Sequence, residues 1–308
     1  MDVYYSLALT VLGILIGISL AIQAGGATVA WISQIWGWLR RATFQDKFGQ
    51  QMLGLSMKAF LGAVLFALAA LGLGYWRYQV QPHVLYTQLP WLVLSWPLGG
   101  LGLGLLFSLL ATKTWKPLKK YKGLQSALLL VAWLSLWAGL YVGLNAYFLD
   151  LFVLSSSTKV TSIAAIWQAR LSPAWILLAA QAIVVGVGGT GTLGLAYLLA
   201  RRNIEDYGRD YYRFALPHAA RWAALLLGQA FFLAWVVYRQ EVTLWLLPRK
   251  EMIALGIALG GFVLFGFLLC IFLRSTNPLR AKASALGVCV SGAVAAAATS
   301  LSQFWLMG

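Results

Sequence analysis

The stretch that decides the fold is PAWILLAAQAIVVGVGGTGTLGLAYLLARRNIEDYGRDYYR, residues 173–213. About two dozen apolar residues run from its opening proline to Ala200, and a helix of that length crosses a bilayer. Arg201 and Arg202 follow, and arginines at the end of a span mark the face on which it emerges. Several glycines inside the run allow neighbouring helices to approach closely. Four similar runs precede this one and three follow, so we interpret it as the opening helix of the second half of a two-bundle membrane protein.

The composition points to the same class of protein. Of 308 residues, 61% are hydrophobic and only 10% are charged, whereas soluble domains have about a quarter of their residues charged. The formal net charge of +15 would indicate nucleic-acid binding in a soluble protein. Here most lysines and arginines lie in short loops between apolar runs, so we attribute the charge to membrane topology and lipid headgroups and expect no nucleic-acid partner.

Eight apolar runs are long enough to cross a membrane. The sequence therefore predicts an all-α integral membrane protein of eight transmembrane helices, arranged as two four-helix bundles over residues 1–150 and 151–308. The predicted spans are Tyr4–Gln23, Met52–Tyr75, Trp91–Ala111, Leu124–Phe148, Pro173–Ala200, Ala215–Tyr238, Met252–Phe272 and Ala283–Trp305.

The distribution of positive charge predicts the orientation. The odd-numbered connections hold 16 lysines and arginines, and the even-numbered connections hold 6. Because positive residues accumulate in cytoplasmic loops, the odd connections are predicted to be cytoplasmic and both termini extracytoplasmic. We expect a multi-pass protein of a bacterial inner membrane, and the first span has no positive residue before it, which argues against a cleaved signal peptide.

Two connections are predicted to contain amphipathic helices that lie in the membrane interface. Val29–Phe48 carries tryptophans and apolar residues at helical spacing, with a pair of arginines behind them. Val160–Leu171 is also amphipathic and carries Trp167. Tryptophan at headgroup depth is typical of such helices.

Few side chains in the chain could hold a cofactor. The two histidines are His83, in the second connection, and His218, at the cytoplasmic start of the sixth span. Histidine is a common axial ligand of haem, so both are candidate contacts for haem b or a quinone. Asn145 and Gln181 lie at depth in predicted spans, where interhelical hydrogen bonding is the ordinary role and a quinone carbonyl is the alternative partner.

Several kinds of chemistry are disfavoured. All eight acidic residues fall at span ends or in loops, and apart from Arg221, which reaches into the start of the sixth span, Lys58 is the only charge inside a predicted span. The sequence has no paired carboxylates, metal-binding cluster or nucleophilic triad, which disfavours hydrolytic chemistry and predicts no metal ligands. The run Gly186–Gly191 matches the G-x-G-x-x-G pattern, but it lies in mid-span rather than at a strand-to-helix turn, so we interpret it as helix packing.

Four segments between Met1 and Ala223 resemble, in order, parts of subunit I of the cytochrome bd-type quinol oxidase superfamily. They are Ser6–Thr10, Lys47–Val64, Trp133–Ala146 and Leu171–Gly189. The resemblance implies a two-bundle membrane fold and, in that family, haem-dependent oxidation of quinol.

The positions where that family places its redox machinery differ here. The family has a haem-ligating histidine shortly after the segment that matches Ala8–Thr10, where this chain continues as Val11–Ile14. It has another just ahead of the glycine pair in its fifth helix, where the nearest polar residue here is Gln181. The family's long quinol-binding loop is reduced to Arg239–Glu251. We therefore expect a bd-like fold without its redox centres.

The resulting prediction is a non-catalytic membrane subunit of a respiratory electron-transfer complex, which anchors redox partners and needs no cofactor of its own. The expected partners are other membrane subunits, phospholipid, and an extracytoplasmic cytochrome or iron–sulfur subunit, with any haem on those subunits. Two alternatives stay open. One is a bd-like subunit that itself binds haem b and oxidises quinol, and the other is a membrane transporter or lipid-handling protein.

Overall fold

A computed structural model describes residues 2–78, 91–153, 173–202, 204, 207–239 and 249–307. These residues form nine α-helices and no β-strand, which confirms the all-α prediction. The helices are α1 (Asp2–Leu39), α2 (Thr43–Tyr78), α3 (Trp91–Thr114), α4 (Lys122–Val153), α5 (Pro173–Arg201), α6 (Arg209–Ala223), α7 (Gly228–Arg239), α8 (Arg249–Arg274) and α9 (Lys282–Met307).

Seven of these helices are long and apolar enough to cross a membrane. Seven of the eight predicted spans fall on them. The sixth, Ala215–Tyr238, falls on α6 and α7, which are joined by a turn of 3₁₀-helix at Ala224–Leu227. Neither piece reaches 18 residues, but the backbone is helical without a break from Arg209 to Arg239. Counted as one crossing, this broken helix completes the eight crossings that the sequence predicts.

The predicted interfacial helix at Val29–Phe48 is wrong as a separate element. Its first part, residues 29–39, continues α1, and a tight turn through Arg41 (φ 52°) leads into α2. Ala30 is fully buried, and a side chain at Gly49 would lie only 2.9 Å from the Ala30 carbonyl oxygen. The close approach of Ala30 and Gly49 therefore packs this part of α1 against α2, while Trp36 and Leu39 of the predicted apolar face stay exposed (47% and 72%). The second predicted interfacial helix, Val160–Leu171, lies outside the described residues.

The helices pack as neighbours in sequence and across the two halves. The main pairs are α1 with α2, α3 with α4, and α8 with α9, while α5 packs against both α1 and α6. One large buried cluster joins side chains from both halves, including Phe48, Tyr211 and Phe265. The contact between α1 and α5 therefore ties residues 1–150 to residues 151–308.

The outer surface of the helices is apolar. On α2, Leu61, Leu65 and Leu68 are each at least 60% exposed, and on α8 Val263 and Phe267 are 74% and 62% exposed. These side chains recur every three or four residues along one helix face. Such a large apolar surface is typical of helices that face lipid or another membrane subunit.

Candidate functional site

The glycines of α5 pack against two different helices. A side chain at Gly186 would clash with the backbone of Ala21 in α1, and one at Gly188 would lie 2.5 Å from the backbone nitrogen of Leu226. Gly191 approaches the backbone of Ala223 in the same way. The G-x-G-x-x-G run is therefore a helix-packing motif, as predicted, and direct backbone contact fills the centre of the protein.

A hydroxyl group reinforces the contact between α5 and α1. Thr190 is fully buried, and the carbonyl oxygens of Gly186 (2.7 Å from Oγ1) and Ile22 (3.1 Å) share its single hydroxyl proton. The first bond lies within α5, and the second crosses to α1. Small residues with an interhelical hydrogen bond are the usual means of holding membrane helices at close range.

A lateral cleft opens between α4 and α5 beside this contact. Its volume is about 400 Å³, within the range of small-molecule sites. The cleft lies inside two membrane-spanning segments, Lys122–Gly143 and Ala179–Arg201, so molecules dissolved in the membrane have access to it. Its lining is apolar and aromatic, and comprises Thr28, Trp133, Trp137, Leu140, Tyr141, Ala179, Ala182, Ile183 and Val187.

Two tryptophans fix the shape of the cleft. Trp137 Nε1 donates to Thr28 Oγ1 (3.0 Å), which itself donates to the Ala24 carbonyl oxygen (2.8 Å). Trp133 stacks on Trp31, with ring centroids 5.1 Å apart and ring planes 17° apart. Because these rings are held by α1, the cleft has a rigid wall that suits an apolar chain rather than a charged ligand.

His218 lies in an aromatic cage on α6. Its ring meets Phe48 edge-on at 4.7 Å and stacks on Phe214 at 5.3 Å between ring centroids. Trp222 Nε1 donates to His218 Nε2 over 3.3 Å. A haem iron would need a nitrogen lone pair and an open approach for the porphyrin. At Nε2 the lone pair of His218 is taken by the Trp222 N–H, and Phe48 and Phe214 flank the ring, so the residues present do not fit a haem bound through this atom.

The structure places the other predicted site residues apart from His218 or does not describe their side chains. Gln181 Nε2 donates to Gln229 Oε1 over 3.4 Å, which confirms the interhelical hydrogen bond. Gln229 lies eleven residues beyond His218, or about 16 Å along a helix, so His218 and Gln181 do not share a site. Asn145 lies in α4, but its side chain is outside the described part of the structure, as is the whole of His83. No group of three potential metal ligands occurs among the described residues.

The sequence reasoning missed four buried glutamines in the first four helices, of which Gln51 in α2 accepts a hydrogen bond from the Tyr211 hydroxyl. Gln23 and Gln34 are 1% exposed and Gln125 is fully buried. Among the described residues, neither amide atom of Gln23 or Gln34 has a hydrogen-bond partner, and Gln125 Nε2 has none. The spacing of Gln23, Ala27, Ala30 and Gln34 places them on one helix face, and this signal was hidden by ending the first span at Gln23.

Comparison with known proteins supports the fold. The chain is similar to a solved structure described as "The structure of bd oxidase from Geobacillus thermodenitrificans", with a TM-score of 0.65 and 12% sequence identity over 98% of this chain and 85% of that chain. No protein-family model and no curated protein matches the sequence. At this identity the likeness concerns the fold alone, and it confirms the bd-like resemblance at that level: this chain is an all-helical integral membrane protein with a bd-oxidase-like fold.

Proposed function

We propose that this chain is a non-catalytic integral membrane subunit of a respiratory electron-transfer complex in a bacterial inner membrane. Its role is to anchor and position redox partner subunits. The fold of a bd oxidase over nearly the whole chain supports the setting. The closely packed interior supports the passive role, because the helices meet through backbone contacts at Gly186, Gly188 and Gly191 where a planar cofactor would need space.

The environment of His218 is the observation that carries the proposal. It is one of two histidines in the sequence, and its Nε2 accepts the Trp222 N–H inside a cage with Phe48 and Phe214. A side chain held in this way stabilises the junction of α2 and α6. Electron transfer through the complex would then depend on cofactors in partner subunits, such as an extracytoplasmic cytochrome or an iron–sulfur protein.

The surface of the chain suits assembly with other membrane subunits. Gly256 and Gly260 lie one helical turn apart on an exposed face of α8, and a side chain added at either would meet nothing within 4 Å. Ile253 and Ile257 flank them on the same face and are about half exposed. Small residues on a lipid-facing helix allow close approach of another helix, so this face is a natural place for a partner subunit.

The lateral cleft favours a second candidate function, in lipid handling. It opens towards the membrane beside Ile183, which is 50% exposed, and its apolar lining suits a phospholipid acyl chain or the isoprenoid chain of a quinone. A lipid-handling protein would bind and release such a chain as its main activity. In a respiratory subunit the same cleft would hold one such lipid chain permanently as part of the assembly.

The experiment that tests the proposal is purification of the tagged chain from its native membrane in a mild detergent. We expect stoichiometric membrane subunits to co-purify, together with haem or iron–sulfur absorbance that stays with those subunits when they are separated. A chain that purifies alone, without redox partners, and exchanges labelled lipid between vesicles would contradict the respiratory role and support the lipid-handling candidate.

A further inference from the structure

Several buried polar groups lie together at one end of the first four helices. This end, called here the basic end, is where α1 and α3 finish and α2 and α4 begin, and it carries Arg40, Lys47, Lys113 and Lys122. Near it, Ser33 Oγ, both amide atoms of Gln34 and Nε2 of Gln125 are buried and have no hydrogen-bond partner among the described residues. Buried polar groups in proteins are nearly always satisfied, by protein atoms or by ordered water.

The glutamines on α1 and α4 lie at the same level. Ala30 of α1 and Leu129 of α4 belong to one buried cluster. Gln34 lies one turn beyond Ala30 towards the end of α1, and Gln125 lies one turn before Leu129 towards the start of α4. Since both displacements point to the basic end, both glutamines lie on the basic-end side of a dry layer formed by Ala30, Leu53, Ala111 and Leu129.

An ion pair connects the Gln125 amide to solvent. Lys122 Nζ lies 2.7 Å from both carboxylate oxygens of Asp46 and 3.4 Å from Gln125 Oε1. The side chains of Lys122 and Asp46 are 18% and 20% exposed. The pair therefore touches water on one side and a fully buried amide on the other, so it marks the entry to the buried polar groups.

The chemistry of these groups selects the occupant. Gln34 offers a donor and an acceptor, Ser33 offers both in one hydroxyl, and Gln125 offers a donor. Water matches this mixed set because each molecule donates and accepts, and buried waters typically make about three such bonds. The amides are uncharged, and at the entry the charges of Lys122 and Asp46 balance each other, so the site has no net charge to hold an ion. An ion of either sign is therefore poorly matched.

We propose that the first four helices hold an ordered-water site at their basic end, bounded by Ser33, Gln34 and Gln125 and entered past the Asp46–Lys122 pair. This inlet stops at the dry layer of Ala30, Leu53 and Leu129. It gives the interior of the membrane-spanning region an aqueous connection to the basic end, independently of any redox role.

Cysteine accessibility tests the inlet with a matched pair of variants. In a background with Cys270 and Cys289 changed to alanine, Ser33→Cys is compared with Ser108→Cys. Both serines are 1% exposed, but the Ser108 hydroxyl is satisfied by the Gly104 carbonyl oxygen at 2.7 Å. A small water-soluble methanethiosulfonate reagent reacts with the thiolate, which forms only where water reaches the sulfur. Equal elution volumes in gel filtration show that both variants fold.

We expect Ser33→Cys to react about tenfold faster than Ser108→Cys or more, because only the former lies in the inlet. Gln34→Cys, which should also react, replaces Ser33→Cys if that variant does not fold. Adding Asp46→Asn, which releases Lys122 from the entry, should raise the rate further. Equal rates at positions 33 and 108 would overturn the inlet, and a rate that Asp46→Asn leaves unchanged would overturn the proposed entry.

Discussion

The contact between α1 and α5 can be tested by adding one methyl group. In Gly25→Ala the new Cβ would collide with the carbonyl group of Gly186 and lie 2.6 Å from the backbone nitrogen of Val187. Backbone atoms cannot rotate away as a side chain can, so α1 and α5 must separate. Because this contact joins the two halves of the chain, the separation should disturb the whole protein.

Gly17→Ala is the matched control on the same helix, since a Cβ there would meet nothing within 4 Å. Both variants gain the same helix propensity, up to about 1 kcal/mol. The difference in stability between them is therefore the cost of overpacking, which is typically about 1–3 kcal/mol. It should be about 3 kcal/mol here, because the new methyl group meets backbone atoms. The unfolding entropy of about 2.1 cal/mol/K per residue means that about 1 kcal/mol changes the Tm of a 308-residue chain by roughly 1.5 °C, so a difference of about 3 kcal/mol should separate the two variants by roughly 5 °C.

The assay is thermal unfolding of the purified chain in mild detergent, followed by tryptophan fluorescence, with all variants heated at one scan rate because membrane proteins often unfold irreversibly. Gly25→Ala should melt well below the parent protein, and Gly17→Ala at or above it. Equal melting temperatures for the two variants would show that α1 and α5 do not meet through Gly25 and Gly186, and the packing argument would be wrong.

Three further outcomes are expected. Thr190→Val removes the hydroxyl that bonds the Ile22 carbonyl oxygen and should cost about 0.5–1.5 kcal/mol of stability. Thr114→Val, whose hydroxyl bonds within its own helix, should cost less in the same melting assay. Equal losses for the two variants would count against the interhelical bond. Lys122→Met breaks a half-buried ion pair and should cost roughly 1–2 kcal/mol, between the values for exposed and buried pairs. Arg213→Met, which breaks the exposed 3.8 Å pair with Asp210, should melt like the parent, and a larger loss there than at Lys122 would contradict this ranking. Alkaline phosphatase fused after Gly308 should be active, because the charge distribution predicts an extracytoplasmic C-terminus. An inactive fusion with an active cytoplasmic reporter at the same site would reverse the predicted topology.

Most of the helical architecture follows from the sequence because span length and charge placement are local signals. The runs that end in Arg201 and Arg274 form helices ending at those residues. The glycine run of α5 was correctly assigned to packing because a membrane helix offers no strand-to-helix turn for a dinucleotide. The sixth span was also located, although its change to 3₁₀-helix at Ala224–Leu227 has no signature in the apolar pattern.

The errors arise where tertiary packing decides. Trp31 resembled a headgroup anchor, but it stacks on Trp133 inside the protein, and this partner lies about a hundred residues away in sequence. The cleft between α4 and α5 also had no sequence signal, because it depends on the separation of two helices rather than on either one. Gln34 was missed because the first span was ended at Gln23, and Gln125 was missed because it lies at the start of a predicted span, where only the packed bundle makes it interior.

The most direct test of the proposed role is the absorbance spectrum of this chain expressed without its partners in haem-replete cells and purified in mild detergent. We predict that the folded chain carries no Soret band above the level of a haem-free control membrane protein, because the one described histidine has its Nε2 bonded to Trp222. A stoichiometric Soret band that disappears in His218→Ala or His83→Ala would show that the chain ligates haem through its own side chains, which contradicts a passive subunit.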